Sequence, residues 1–465
     1  MTLVAGVDCS TQSTKVVVCD AESGKVVRSG QADHPDTTEV DPMVWWSAWE
    51  RASTGMLDDV AAIGVGGQQH GMVLVDQHGT PVRDALLWND NRSAPQAQQL
   101  IAELGGPTAW AEAVGLVPVA SFTVTKLRWV AEHEPEVAGR ATGVMLPHDW
   151  LTHRLAQPRG VPTTDRGDAS GTGYWSPAKG VYRPDLLRRA FGADLDVPPV
   201  ASPSEVVGET ATGAVVAPGT GDNMAAALGL GLDTGDLAVS LGTSGTVFAV
   251  TNRPTADSTG IVAGFADGAG GYLPLVCTLN AARVIEATAT MLGVDLTHFD
   301  GLAASVGDAD GLVLLPYLDG ERTPSLPNAT GLLHGLTRQN ATPAHLARAA
   351  VEGMLCGLAD AVDALHAHDV RTNRLVLIGG AARSPAVRRI AAELFGLEVL
   401  VPEPGEYVAI GAARQAAWAL AGSDQPPAWP VSGIRIDASA DRIAAGSATR
   451  ARYRETLSAA KAMLG

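Results

Sequence analysis

At 465 residues with 46% apolar side chains, the chain outgrows a single hydrophobic core and fits two domains of about 200 residues each. A formal charge of −17 argues against nucleic acid or an anionic membrane as a general partner. Cys9, Cys19, Cys277 and Cys356 are scattered without a CxxC pair, which points away from a disulfide framework or a zinc site and toward a reducing cytoplasm.

The chain opens with Gly6-Val-Asp8-Cys-Ser10-Thr11-Gln12-Ser13-Thr14-Lys15 between apolar runs, which predicts two strands over residues 3–20 joined by a tight turn. A third strand follows at Val26–Gln31. Asp41-Pro42 then opens a helix carrying Trp45, Trp46 and Trp49, with Asp41 as its N-cap and the tryptophans as packing residues. Val60–Val65 reads as a buried strand that runs into Gly66-Gly67-Gln68-Gln69-His70-Gly71, and Met72–Asp76 as the next strand. A strand ending in glycines and polar side chains is where α/β sheets place ligands. Residues 95–215 alternate helical runs with loops and carry the least information. Gly221-Asp222-Asn223 leads into a helix of small residues, and a second domain begins near Asp236, giving boundaries of 1–235 and 236–465.

The second half repeats the opening plan. Val239-Ser-Leu-Gly242-Thr243-Ser244-Gly245-Thr246 overlays the first turn without gaps, Thr11 falling on Thr243 and Thr14 on Thr246. Further on, the strand Arg374–Ile378 ends in Gly379-Gly380-Ala-Ala-Arg383-Ser384, ahead of a helix from Ala386, answering the Gly66-Gly67 strand of the first half. The segment from Asp441 reads as a terminal helix.

Turns of small hydroxyl residues turn backbone N–H groups toward one point and suit an anion such as phosphate. No GxxxxGK[ST] loop, no strand-to-helix GxGxxG and no GxSxG elbow occurs, so the paired hairpins are the candidate nucleotide cradle. Two carboxylates flank the glycine-rich turns. Asp8, beside the first turn, fits either a ligand acting through Mg²⁺ or an acceptor for turn amides. Asp222 fits either a helix N-cap or a base that accepts a hydroxyl proton. Gln69 and His70 offer donors and acceptors to a polyhydroxylated ligand, while Arg322 fits either a phosphate contact or a pairing with Glu321, the structural role being favoured.

Taken in order, Gly6–Lys15, Glu39-Val-Asp-Pro42, Gly67–Gly71, Leu87-Trp88-Asn-Asp90-Asn-Arg92, Gly221–Asn223, Ser240–Thr246, Tyr317–Pro324, Gly331–Thr337 and Ile378–Ser384 resemble the FGGY carbohydrate kinases across nearly the whole chain. That resemblance implies an α/β protein with the two-domain actin-like ATPase fold shared by sugar kinases, actin and chaperones: mixed sheets flanked by helices, with a cleft between the domains. It implies ATP and Mg²⁺ as cofactors. Asp222 and Asp8 would be the catalytic carboxylates, Asp8 working through the metal. Gln69, His70, Asp222 and Asn223 would hold the sugar. Ser10, Thr11, Gln12, Ser13, Lys15, Gly242 and Thr243 would line the phosphates, and Gly379, Gly380 and Ser384 the adenosine. Gly67–Gly71 and Leu318–Pro324 are most similar to members acting on D-xylulose, although Gln69 replaces a methionine there. Ribulose, gluconate or another polyol is the near alternative, and a non-catalytic sugar sensor the alternative of another class. The expected partners are the sugar and ATP, with a homodimer left open.

Overall fold

Leu3, Ala5, Val7 and Cys9 alternate with Val4, Gly6 and Asp8, so the strand Leu3–Cys9 feeds two cores, one on each face. The computed structural model describes residues 1–156 and 161–464. Two compact units separate: Met1–Leu232 with Val250–Pro274 and Pro404–Val431, and Asp233–Ala249 with Leu275–Glu403 and Ser432–Gly465. Relative to the boundary expected at 235/236, two later segments thus pack with the first unit.

In the first unit, Leu3–Cys9 pairs antiparallel with Ser13–Asp20, which pairs antiparallel with Val26–Asp33. On its other side Leu3–Cys9 runs parallel to Val60–Gly67, and that strand takes Val215–Val216 and Thr220–Gly221 as further parallel neighbours. One face packs on Trp45 of the helix Met43–Ala52 and on Trp150, whose rings meet edge-on at 6.2 Å, so the tryptophans serve the core as expected. That helix starts one residue later than predicted, with Pro42 at the cap position and Asp41 accepting from the Met43 N–H. The opposite face meets the alanine-rich helix Tyr407–Ala421. Here glycine is obligatory: a Cβ on Gly6 or Gly64 would run into the backbone carbonyls of Ala409 and Ala412.

The second unit repeats this order. Asp236–Leu241 pairs antiparallel with Gly245–Ala249, which pairs antiparallel with Leu275–Thr278, and on its other side Asp236–Leu241 runs parallel to Arg374–Ile378, then Val399–Pro402. The duplication read from two turns is therefore a duplication of sheet topology. The gapless overlay holds for only one strand of each hairpin, however. Thr14 sits opposite Cys9, whereas Thr246 sits opposite Ser240, the counterpart of Asp8, so the returning strands differ in register by one residue. Buried Arg348 joins three helices of this unit through Glu352 at 2.6 Å and Glu393 at 2.8 Å, with Arg442 closing on Glu393. The terminal helix spans Ala440–Leu464. Among the described residues, no helix is long and apolar enough to cross a membrane.

Candidate active site

Register decides which side chains meet in the first unit. Asp8 is paired with Gly66, and Thr220 and Gly221 with Gly66 and Gly67, so Asp8, Gln68–His70 and Asp222 emerge at one end of neighbouring parallel strands. Ends of parallel strands are where α/β sheets bind ligands, because the side chains and backbone there are released from the ladder.

Asn223 joins this group. Its Nδ2 donates to Gln69 Oε1 at 2.9 Å and to Asp222 Oδ1 at 2.9 Å, while its backbone N–H donates to the same Asp222 oxygen at 2.7 Å. Gln69 is buried, and its Nε2 has no partner within the protein, a donor left for a ligand. His70 holds a left-handed backbone, φ 67°, rare for a residue with a Cβ and a mark of functional sites. It is fixed by its Nδ1 contact to the Gly171 carbonyl at 3.0 Å, by Thr123 donating to its own carbonyl, and by Phe122 and Phe265 against the ring.

Asp222 is not a helix cap. Gly221 takes that position, and Asp222 is the first residue of the helix Asp222–Gly229. Burial, then the negative charges of Asp8 and Asp168, push its carboxyl up to about 7, against the pull of the Asn223 hydrogen bonds. Asp8 is buried and accepts from Ser10 Oγ at 2.6 Å; burial pushes its carboxyl up to about 6, with Ser10 and Lys15 opposing. A carboxyl near 7 is suited to accepting a proton at neutral pH.

The remaining residues of the first turn are placed around Asp8. Thr11 Oγ1 accepts from the Trp88 indole at 2.7 Å, and exposed Gln12 gives its carbonyl to the His34 N–H. Ser13 is buried and its carbonyl takes the Ser10 N–H at 3.0 Å; Lys15 pairs with Glu406 at 2.6 Å. The Glu39 and Leu87–Arg92 motifs meet each other, Arg92 reaching Glu39 at 2.7 Å and Asp90 at 2.9 Å, and so form a scaffold beside that turn.

In the second unit, Gly242 and Thr243 form the turn after Leu241, next to Gly379, where a Cβ would strike the Leu241 backbone and φ is 95°. Gly242 gives its carbonyl to the Ala282 N–H and Thr243 its own to Arg283. Gly380 is exposed with open space at its Cα. Ser384 caps the helix Pro385–Phe395 through the Val387 N–H and donates to Asp300. The expected Arg322–Glu321 ion pair is absent among the described residues. Glu321 is instead filled by donors from Leu279, Asn280, Arg322 and Thr323, with Asn280 adding its side chain, while the Arg322 side chain is exposed.

Sequence reading missed a fully buried group near Gln69, His70 and Asp222: His148, Asp149, Asp165 and Asp168. Their only signal was His148-Asp149 and Asp165-x-x-Asp168 within the uninformative stretch, and neither spacing is a motif.

Comparison with known proteins bears on the whole chain. Residues 3–232 match the N-terminal domain of the FGGY family of carbohydrate kinases, and residues 237–420 its C-terminal domain. The xylulose kinases of Streptomyces rubiginosus and Streptomyces coelicolor are each 49% identical over 438 residues, 91% of this chain and 89% of theirs. The crystal structure of the xylulose kinase from Bifidobacterium adolescentis superposes with a TM-score of 0.90 at 44% identity, covering 98% of this chain and 99% of that one. Duplicated sheet topology, a half-buried carboxylate beside Gln69 and His70, and both matched domains lead to one assignment: the chain is a kinase with the actin-like ATPase fold and belongs to the FGGY family of carbohydrate kinases.

Proposed function

We propose that this enzyme transfers the γ-phosphoryl group of ATP to the terminal hydroxyl of D-xylulose, giving D-xylulose 5-phosphate and ADP. The observation that carries the mechanism is Asp222, a carboxyl pushed up to about 7 and oriented by Asn223 beside the free donor of Gln69. Gln69, His70 and Asn223 orient the sugar. Asp222 takes the proton from its terminal hydroxyl while that oxygen bonds to the γ-phosphorus and the bond to the ADP oxygen breaks. The first turn, Ser10–Ser13 with Lys15, and the second, Gly242–Thr243, bind phosphates, and Gly379, Gly380 and Ser384 bind adenosine. The names and full-length identity of the Streptomyces relatives support the choice of sugar.

Buried Asp8 carries a negative charge near a second carboxylate, an arrangement that fits Mg²⁺, which takes one or two carboxylates alongside substrate phosphates. Asp8 is the residue that would hold the ion; when bound, Mg²⁺ neutralises charge that develops on the transferring phosphoryl group.

Steady-state assays over ketoses, polyols and sugar acids with coupled ADP detection test the reading. The largest kcat/KM is expected for D-xylulose. A clear preference for ribulose or gluconate overturns the substrate, and sugar binding with no turnover on any of them favours a sensor.

A further inference from the structure

We propose that His148 is a positioning residue for the sugar site, a buried cation that joins the two aspartates holding the arm of His70 and the arm of Asp222. The proposal rests on the sugar-site reading above.

His148 lies on the helix Pro147–Leu155 and is fully buried. Its Nδ1–H donates to Asp168 Oδ2 at 2.7 Å, and its Nε2 lies 3.2 Å from Asp149 Oδ1 and 3.8 Å from Asp165 Oδ1. Burial pulls the ring's pKa down, but Asp149, Asp168 and Asp165, all within 3.8 Å of its nitrogens, outweigh that and push it up to about 9, so the ring is held as an imidazolium. A cation buried this completely persists only when paired, and here it is paired on both sides.

Each aspartate has a second task. The Asp168 segment also holds His70, the residue at φ 67°: the Asp168 carbonyl takes the Gly171 N–H at 2.9 Å, and the Gly171 carbonyl meets His70 Nδ1 at 3.0 Å. Asp165 accepts the Thr220 hydroxyl at 2.7 Å, two residues before Asp222, as well as the N–H groups of Gly167 and Asp168. Glycines let both arms close on the ring: a Cβ on Gly67 would lie 2.8 Å from His148 Cβ, and one on Gly219 2.7 Å from His148 Cδ2. The imidazolium thus sits behind both strand ends that present the sugar-side residues. Removing its charge leaves three buried carboxylates to repel one another, and each shift is passed to His70 or to Thr220.

His148→Gln keeps a donor toward Asp168 and removes the charge; Thr220→Val cuts the link from Asp165 and leaves every charge in place. The assay measures KM for sugar and for ATP separately, using whichever sugar the wild type phosphorylates best. A wild type that ignores D-xylulose therefore counts against the substrate and leaves this test intact. Folding is checked by melting. Expected for His148→Gln is a loss of about 10- to 100-fold in kcat/KM for the sugar, with the KM for ATP unchanged. Thr220→Val should lose less in the same direction, and the double variant should lose less than the product of the two. Unchanged sugar kinetics in a folded His148→Gln, sugar and ATP KM rising together, or fully multiplicative losses would each overturn the proposal. If His148→Gln does not fold, Thr220→Val decides, and wild-type sugar kinetics in that variant overturns it.

Discussion

The side-chain amide of Asn223 donates to Asp222 Oδ1 at 2.9 Å while the same nitrogen holds Gln69 Oε1. One amide therefore fixes the proposed base and a proposed sugar contact together. Asn223→Ala should release both, lowering kcat/KM for the sugar about 10- to 100-fold, the cost of leaving partnered buried groups unsatisfied. Kinetics with ATP saturating check this, and a change confined to the KM for ATP contradicts it.

Acidity should set the lower limb of the rate profile. As the proposed base, Asp222, pushed up to about 7, would act only when ionised, so kcat/KM should fall about tenfold per pH unit below that value and level off above it. The sign for stability is the reverse. A carboxyl raised in the folded state holds its proton more tightly there than in the unfolded chain. Its contribution to stability is full at low pH and is lost as pH rises through about 7. A profile flat from pH 5 to 8 would contradict the role of Asp222.

The proposed role of Asp8 is on the phosphate and metal side. Asp8→Ala should lose most turnover yet still bind the sugar, as read by calorimetry without nucleotide. Near wild-type kcat at saturating Mg²⁺ would rule that role out.

Gly242 tests the second turn. A Cβ there would come no nearer than 3.4 Å to any neighbour, so Gly242→Val should fold. If the turn cradles phosphate, the KM for ATP should rise far more than that for the sugar, and equal effects would make the hairpin structural only.

Much of this was legible because it is written in local chemistry. Alternating apolar residues around a turn of small hydroxyl residues disclosed both hairpins, and glycines after Val65 and Ile378 disclosed where parallel strands end. Asp8, Gln69, His70 and Asp222 stand at such ends, and register alone brings them together. The one-residue difference between the hairpins was hidden, because turn length changes pairing without changing the residue pattern. The N-cap alternative for Asp222 fell to Gly221, which a sequence cannot separate from its neighbour when cap positions shift by one. His148 was invisible for another reason: its partners lie up to 20 residues away and are chosen by burial, which no spacing encodes. The left-handed backbone of His70 was likewise set by tertiary contacts that fix its carbonyl and its ring.

The central claim is that Asp222 removes the proton from the sugar hydroxyl, and Asp222→Asn tests it most directly. The substitution keeps size and hydrogen bonding but cannot accept the proton. With Gly221 in the cap position, the helix loses no cap, and at pH 8 the variant is relieved of a half-buried charge that Asp8 and Asp168 oppose. Measured on one preparation at pH 8, kcat should fall about 10²- to 10⁴-fold while the melting temperature stays level or rises and sugar affinity changes little. Retained turnover with a lowered melting temperature would contradict the account, leaving Asp222 a structural residue.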